Sequence, residues 1–285
     1  MLIPDELAFA ANLSILFPDL PPLQRPAAAA AAGFGAVESW WPFATATPAP
    51  AEVDAFVAAL EGAGVQLVAL NLLAGDMAAG ERGLVSVPGR GAEFQASLRA
   101  LVGIAERTGC RAFNALYGQR VAGVDPAAQD RLAVENLAAA AAAVAPLGGV
   151  VLVEPLTRGE NGAYPLCTAA DAVGVVRRVR AQAGAANLRW LADLYHLASN
   201  GEELAVVLPR HADEIGHVQV ADVPGRHQPG TGSLDIEGLL ALLASSGYRG
   251  FVGLEYRPLG PSERCFDWLP VPRRAAPGPG GGGGR

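Results

Sequence analysis

The chain has 285 residues, a formal net charge of −7 and a sequence pI near 5.2. This acidic balance argues against a nucleic acid or an anionic membrane as the main partner, because binding to phosphate groups needs a basic surface. All 21 basic residues are arginine. Without a lysine, the chain cannot use chemistry that proceeds through a lysine Schiff base.

Cysteine usage and the N-terminus predict a reduced, cytoplasmic protein. The three cysteines are scattered and form no CxxC pair, so neither a disulfide framework nor a zinc–thiolate site is predicted. The N-terminus lacks a basic segment followed by a long apolar one. No charge-free apolar stretch of about 18 residues occurs outside Ala-rich helical sequence, so we expect no membrane segment.

Eight short apolar runs alternate along the chain with Ala- and Leu-rich segments of helical periodicity. The predicted strands are residues 7–12, 34–39, 66–72, 111–117, 149–155, 188–193, 215–221 and 251–256. The predicted helices include residues 52–61, 93–107, 126–144, 169–181 and 236–245. Eight successive βα units predict an α/β fold of the (β/α)8 TIM-barrel type in a single domain, which we place at residues 1–270.

Two other segments differ from this βα pattern. The connection at residues 73–90 is long and contains four glycines, which is typical of lids and binding loops, so we predict that it covers the active site. The Pro/Gly-rich tail at residues 271–285 is predicted to be disordered.

Four oxygen-bearing side chains end the last four predicted strands: Glu154, Asp193, Gln219 and Glu255. Strand ends of a barrel meet at its C-terminal mouth, where the ligand sites of this architecture lie. Acids in a sheet that is buried on both faces need charge compensation. Three carboxylates and an amide provide hard oxygen ligands, so the pattern predicts a divalent ion such as Mg²⁺ or Mn²⁺. For any one acid alone, a helix cap or an arginine partner is the alternative.

Further polar residues lie near these strand ends. His196 follows the sixth strand and could hydrogen-bond a substrate hydroxyl or carbonyl, or simply begin a helix. Glu160, in the loop after the fifth strand, could orient the substrate or be solvated. Arg226, in a glycine-containing loop after the seventh strand, could clamp a substrate carboxylate or lie on the surface. His217 is predicted to lie deeper in the barrel as a supporting residue.

Six segments point to a known family: ANLSILF at 11–17, NLLAGDMAAGERG at 71–83, VEP at 153–155, DLYH at 193–196, HVQVADVPGRHQPGTG at 217–232 and GLEYRP at 253–258. Together they resemble hydroxypyruvate isomerases, which belong to the xylose-isomerase-like TIM-barrel superfamily. The match runs in order through almost the whole chain. The AAGERG and QPGTG strings are specific to the subgroup, whereas the four proposed ligands alone are typical of the superfamily.

The resemblance implies a reaction and a catalytic pair. The reaction interconverts hydroxypyruvate and 2-hydroxy-3-oxopropanoate (tartronate semialdehyde) by metal-assisted proton transfer through an enediolate. Glu154 and Glu255 would be the catalytic residues and would also bind the metal. Such an isomerisation removes a proton from the carbon beside a carbonyl and returns one to its neighbour, which requires two carboxylates beside one planar intermediate.

The same resemblance implies roles for the remaining candidates. Asp193 and Gln219 would complete the metal shell, and His196 would polarise the substrate carbonyl. Either Arg226 or Arg82 would hold the substrate carboxylate, and the sequence does not decide between them. Hydroxypyruvate isomerases carry a histidine where this chain has Leu70, so the exact substrate is left open.

Alternatives within the superfamily are a 2-oxo-tetronate isomerase and a ketose 3-epimerase. The endonuclease branch uses a multi-zinc site rich in histidine, whereas this chain has four histidines and is acidic. A non-catalytic barrel that binds sugar acids would be favoured if one of the two glutamates were missing, and both are present. We therefore expect a small hydroxy-oxo acid as substrate, with no nucleic acid or membrane partner; a homo-oligomer remains open.

Overall fold

Eight parallel strands close into a barrel in the computed structural model, which describes residues 3–275. The strands are β1 Ala8–Asn12, β2 Ala36–Ser39, β3 Gln66–Asn71, β4 Ala112–Asn114, β5 Val150–Val153, β6 Leu188–Asp193, β7 Ile215–Val220 and β8 Phe251–Leu254. Each strand pairs in parallel with the next, and β8 closes the ring against β1. The TIM barrel predicted from the sequence is confirmed.

Helices follow the strands around the outside of the ring. They are α1 Arg25–Ala31, α2 Pro50–Ala63, α3 Gly91–Thr108, α4 Pro126–Val144, α5 Ala169–Ala183, α6 Leu194–Ser199, α7 Leu204–Arg210, α8 Ile236–Ser245 and α9 Val271–Arg274. Asp125 caps α4 by accepting a hydrogen bond from the amide of Ala127 at 3.0 Å. In residues 3–275, no helix is both long enough and apolar enough to cross a membrane.

The strands form the centre of the hydrophobic core. β1 is buried along its whole length, and large side chains such as Phe9, Phe113 and Trp190 are fully buried. A parallel sheet inside a ring of helices is covered on both faces, which is why its strands read as continuous apolar runs. Polar side chains are therefore conspicuous where they occur in the barrel, and most lie at the C-terminal ends of the strands.

The long connection after β3 is fixed against the rest of the barrel mouth. Gly83 forms an isolated antiparallel bridge with Tyr117, and the amide of Gly118 donates to the carbonyl of Arg82 at 3.1 Å. A side chain at Gly83 would collide with the backbone of Leu116. Residues of this loop line the cavity at the C-terminal end of the barrel. The loop therefore forms part of the cavity wall and is held there by backbone contacts.

The barrel continues beyond residue 270, into the segment predicted to be a disordered tail. Helix α9 packs against the N-terminal part of the chain, and the Arg274 side chain is buried. Its guanidinium donates to the carbonyls of Leu269, Phe266 and Ala32, each at 2.8 Å. Residues 271–275 thus belong to the folded domain, because the Arg274 side chain joins Ala32, beside α1, to the carbonyls of Phe266 and Leu269 just before α9. Residues 276–285 lie outside the described part of the chain.

Candidate active site

A cavity of about 800 Å³ opens at the C-terminal mouth of the barrel. Six of the eight candidate residues line it: Arg82, Glu154, Glu160, His196, Arg226 and Glu255. The other two, Asp193 and Gln219, are buried and are register neighbours on β6 and β7. The structure thus brings the predicted strand-end residues to one end of the barrel.

Glu154 follows β5 and is buried at the wall of the cavity. Its Oε2 accepts a hydrogen bond from Nδ2 of Asn114, at the end of β4, at 2.6 Å. Its Oε1 lies 3.9 Å from Nε2 of His196. One oxygen is thus held by a neutral donor, and the other faces the neighbouring polar groups of the site.

Asp193 ends β6 and also begins α6. Its Oδ1 accepts from the backbone amides of Tyr195 at 2.8 Å and His196 at 3.4 Å, which is the geometry of a helix N-cap. The helix therefore starts directly after the strand, with no intervening loop. This capping turns Oδ2 toward the site, where it lies 3.5 Å from Nε2 of His196.

His196 is held as a single neutral tautomer. The backbone amide of Thr157 donates to its Nδ1 at 3.1 Å, and the Thr157 hydroxyl lies 2.7 Å from the same atom. Because Nδ1 accepts a hydrogen bond, the ring proton must reside on Nε2. Burial lowers the pKa of His196 to about 4, so the imidazole is neutral at physiological pH. The donor Nε2–H faces the carboxylates of the site.

Glu255 follows β8 and meets two donors. The indole Nε1 of Trp40 donates to its Oε1 at 2.7 Å, and Nη2 of Arg226 lies 3.2 Å from the same oxygen. The same Nη2 is 3.4 Å from Oδ2 of Asp193. A single guanidinium therefore contacts carboxylates at the ends of two different strands. It also lies over the ring of Tyr195, with 5.4 Å between Cζ and the ring centroid.

The loop that carries Arg226 is organised around a buried carboxylate. Asp222 accepts backbone hydrogen bonds from Val223, Gly230, Gly232 and Leu234, all between 2.8 and 3.0 Å. Arg226 itself has a left-handed backbone conformation, with φ of 58°. Such a conformation is uncommon for a residue with a side chain, and the Asp222 contacts hold the loop in the shape that requires it.

Burial and mutual repulsion raise the pKa of the acidic groups. The pKa of Glu154 is well above its ordinary value, first because of burial and then because of the nearby Glu255 and Asp193 carboxylates. Burial raises the pKa of Glu255 to about 8, although the Arg226 cation opposes the shift. A carboxyl group whose pKa is raised toward the operating pH, as that of Glu255 is, can both accept and return a proton.

The donor set suits a divalent cation. Ligand atoms of Glu154, Asp193 and His196 all lie within 4.8 Å of one another, so this buried group could hold a metal ion. Oε1 of Gln219 is buried and has no hydrogen-bond partner within residues 3–275. A buried amide oxygen without a donor is costly unless a cation approaches it. The sequence grouped Gln219 and Glu255 with Glu154 and Asp193, whereas the close group of acids and histidine in the described residues consists of Glu154, Asp193 and His196, without Glu255.

Arg82 and Glu160 lie farther out in the cavity. Arg82 donates to Oδ1 of Asn161 at 2.9 Å and to the carbonyls of Met77 and Glu81 at 3.0 and 2.7 Å. The hydroxyl of Tyr195 donates to Oε1 of Glu160 at 3.3 Å. Both residues are thus positioned by neutral groups at the rim.

Sequence reasoning missed the polar residues contributed by the first half of the barrel. Asn12, Glu38, Asn71 and Asn114 lie at or beside the ends of β1 to β4, and all four are buried. Glu38 accepts from Asn12 and Gln219 and lies 2.6 Å from Nε2 of His217, which is buried inside the barrel as predicted. Reading the first four strand ends in the same way as the last four would have identified these residues.

Comparison with known proteins gives consistent matches over most of the chain. Residues 26–270 match the family model described as xylose isomerase-like TIM barrel. The chain is 54% identical over 271 residues to a Streptomyces coelicolor protein named "Putative hydroxypyruvate isomerase", covering 94% of this chain and 97% of that protein. It is 33% identical to the hydroxypyruvate isomerase of Escherichia coli, covering 92% and 98%, and 37% identical to the 2-oxo-tetronate isomerase of Cupriavidus necator, covering 92% and 96%.

Solved structures show the same barrel. A crystal structure described as AP endonuclease, family 2, from Brucella melitensis superposes with a TM-score of 0.84 at 36% identity, covering 92% of this chain and 98% of that chain. The apo form of a 3-keto-D-glucoside 4-epimerase from E. coli superposes with a TM-score of 0.72 at 21% identity, with the same two coverages. The second similarity concerns the fold alone.

Proposed function

Because the chain belongs to the xylose isomerase-like TIM-barrel family and is an isomerase, we propose that it interconverts hydroxypyruvate and 2-hydroxy-3-oxopropanoate. One observation carries the proposal. Two buried glutamates, Glu154 and Glu255, come from different strands, line one cavity and have raised pKa values. Each is held by a neutral donor, Asn114 or Trp40, so each carboxylate keeps a fixed orientation toward the cavity.

The proposed chemistry moves one carbon-bound proton and one hydroxyl proton. One glutamate removes a proton from C3 of hydroxypyruvate, and the electron pair forms the C2–C3 double bond of an enediolate. The second glutamate delivers a proton to C2. As the aldehyde forms at C3, the hydroxyl proton on O3 passes to O2, the former carbonyl oxygen on C2. The glutamate that starts ionised ends protonated and the one that starts protonated ends ionised, so atoms and charge balance. We propose that the Nε2–H of His196 donates a hydrogen bond to O2 and stabilises the negative charge that develops on it.

A divalent cation, Mg²⁺ or Mn²⁺, fits this donor set. We propose that Glu154, Asp193, Gln219 and Glu255 hold it, with His196 beside them. When bound, the ion supplies Lewis-acid stabilisation of negative charge that develops on neighbouring substrate oxygens. The unpartnered Gln219 oxygen and the close group of Glu154, Asp193 and His196 support this assignment.

We propose that Arg82 binds the substrate carboxylate. Its hydrogen bonds go to an amide and to backbone carbonyls, and no carboxylate pairs with it among the described side chains, those of residues 3–262 and 264–275. Its positive charge is therefore available to an anion that enters the cavity. Arg226 is the alternative, but its charge is already shared between Asp193 and Glu255. Glu160, at the same rim, is proposed to orient a substrate hydroxyl.

A four-carbon acid is the second candidate substrate. The cavity of about 800 Å³ is large for a three-carbon acid, and one of the similar proteins is named as a 2-oxo-tetronate isomerase. A nuclease function is not supported, although a similar structure carries that description. Of the four histidines, only His196 lines the cavity, which does not provide the histidine-rich zinc site of that chemistry.

The test is proton exchange and product formation in deuterated water, followed by NMR. The protein, loaded with Mg²⁺ or Mn²⁺, is incubated in parallel with hydroxypyruvate, with 2-oxo-tetronates and with a free ketose. With hydroxypyruvate we expect deuterium at C3 and formation of the isomer. Comparing the isomerisation rates of hydroxypyruvate and the 2-oxo-tetronates will show which acid is the better substrate. Absence of exchange with every acid would contradict the proposed function.

A further inference from the structure

Glu38 is a buried carboxylate that the proposed proton transfers do not use. It lies on β2 with 2% of its surface exposed, and it has no arginine partner among residues 3–275. Its oxygens accept from Asn12 Nδ2 at 2.8 Å and Gln219 Nε2 at 2.8 Å, and lie 2.6 Å from Nε2 of His217. Two strands besides its own thus contribute donors to one acid inside the barrel.

From this arrangement we propose that Glu38 is a positioning residue, which turns the Gln219 amide so that its oxygen, and not its nitrogen, faces the metal position. Oε1 of Glu38 accepts a hydrogen bond from Nε2 of Gln219 at 2.8 Å, so the amide presents its NH₂ group to Glu38. The amide oxygen then points away from Glu38 and is the buried oxygen without a partner. A cation is bound by an amide oxygen and repelled by an NH₂ group, so this orientation decides whether Gln219 is a ligand.

The position of Glu38 is itself enforced by another strand of the barrel. Gly253 on β8 is the register partner of Gln219, and a side chain at Gly253 would collide with the Glu38 carboxylate. The absent Cβ therefore creates the space that Glu38 fills. Gly253 on β8 thus leaves room for Glu38 on β2, and Glu38 in turn accepts a hydrogen bond from Gln219 on β7.

The pairing also explains why position 219 carries an amide. Replacing Gln219 with glutamate would place two carboxylate oxygens at the 2.8 Å separation of the present hydrogen bond. Like charges at such a distance inside the barrel repel strongly. The residue at position 38 therefore determines whether the metal ligand at position 219 can be an amide or a carboxylate. Residues that orient metal ligands typically change metal affinity by about 10-fold to 100-fold when they are altered.

The experiment is a double-mutant cycle with Mn²⁺ affinity as the readout. Free Mn²⁺ is counted by electron paramagnetic resonance during titration of metal-free wild type, E38Q, Q219E and E38Q/Q219E, without substrate. We expect Q219E to bind Mn²⁺ about tenfold or more weakly than wild type. In E38Q/Q219E an amide at position 38 can donate to the new carboxylate, so we expect at least about tenfold tighter binding than in Q219E alone.

A control variant separates ligand orientation from general loss of stability, and a second variant replaces E38Q if that protein does not fold. Gln129 is a fully buried amide that donates to the carbonyls of Ser86 and Gln119, away from the metal position. We expect Q129E to lower the melting temperature without changing the Mn²⁺ dissociation constant. If E38Q does not fold, E38D takes its place. Its shorter side chain keeps the charge but cannot reach Gln219, so we expect weaker Mn²⁺ binding.

The inference rests on the proposed metal site, and the two can fail separately. A wild-type protein that binds no Mn²⁺ would remove the metal site and this inference with it. If the wild type binds Mn²⁺ but E38Q changes the Mn²⁺ affinity by the same factor in the wild type and in Q219E, the metal site stands. The proposed role of Glu38 is then overturned. An E38D variant with wild-type Mn²⁺ affinity would overturn it as well.

Discussion

At the scale of single residues, the site combines three carboxylates with a guanidinium that balances only part of their charge. Arg226 contacts both Asp193 and Glu255, whereas Glu154 is held by the neutral amide of Asn114. The pKa values of Glu154 and Glu255 are raised because burial and like charge are not fully compensated. This imbalance has a measurable consequence in the metal-free protein.

The stability of the metal-free protein should fall between pH 6.5 and pH 8. Glu255 has a pKa of about 8 when folded and an ordinary value of 4.5 when unfolded, so between these values the folded state holds a proton that the unfolded state has lost. Stability contributed by that proton is lost as pH rises. His196, whose pKa is lowered to about 4, acts below this window.

Urea unfolding in the presence of a chelator measures the effect. One proton accounts for at most about 1.4 kcal/mol per pH unit, so we expect a decline of about 1 to 2 kcal/mol in the free energy of unfolding. E255Q should show a shallower decline, because the amide introduced at this position has no proton to lose. A wild-type protein whose stability rises from pH 6.5 to pH 8 would contradict the raised pKa.

Replacing Arg82 tests the proposed carboxylate contact. In R82Q we expect KM for hydroxypyruvate to rise by about 10-fold to 100-fold with kcat changed only a few-fold, since a charge-assisted hydrogen bond contributes about 1.5 to 3 kcal/mol. The matched measurement uses dihydroxyacetone, which lacks the carboxylate and should be converted equally by both proteins. An unchanged KM for hydroxypyruvate would instead favour Arg226 as the clamp.

At the scale of elements, the strands could be predicted almost completely. β6 matches the predicted bounds, and each of the others lies within its predicted run. Buried parallel strands are continuous apolar runs, so their positions can be identified from the local sequence. The start of α6 directly after Asp193 agrees with the alternative that a strand-end acid caps the following helix. The sequence set the cap against the ligand role, whereas this carboxylate caps the helix with Oδ1 and faces His196 with Oδ2.

The parts of the site that the sequence did not reveal depend on contacts between distant segments. Glu38 is 179 positions from His217 and 181 positions from Gln219. Its burial is tolerated only because those strands supply donors in space. The position of Arg226 likewise requires the loop shape that Asp222 imposes. The local sequence pattern predicted which residues end the strands. It did not predict which distant side chains donate hydrogen bonds to the buried carboxylates.

The contacts of Arg274 predict how much helix α9 contributes to the stability of the fold. Arg274 donates to three backbone carbonyls, and its guanidinium carbon lies 5.6 Å from the ring centroid of Phe266. R274M should lower the free energy of unfolding by about 2 to 4 kcal/mol, because those buried carbonyls would lose their donors. The exposed Arg210 provides the control, and R210M should change stability by less than about 0.5 kcal/mol. Urea unfolding compares the two, and equal stability of R274M and wild type would contradict the structural role of α9.

At the scale of the whole molecule, the closed barrel brings side chains from widely separated parts of the chain to one mouth. Glu154 and Glu255 are far apart in the sequence, yet they influence each other's ionisation. The central claim is that these two carboxylates each serve one carbon of the substrate. Each half of the reaction can be observed separately, because proton exchange with solvent needs only one of the two groups.

The most direct measurement follows solvent deuterium exchange by NMR for metal-loaded E154Q and E255Q, starting from either hydroxypyruvate or 2-hydroxy-3-oxopropanoate. We predict that neither variant isomerises, that one retains exchange at C3 of hydroxypyruvate, and that the other retains exchange at C2 of the aldehyde acid. The surface variant E135Q should behave as wild type. Isomerisation at the wild-type rate in either variant, or loss of both exchanges in both variants, would contradict the division of roles between Glu154 and Glu255.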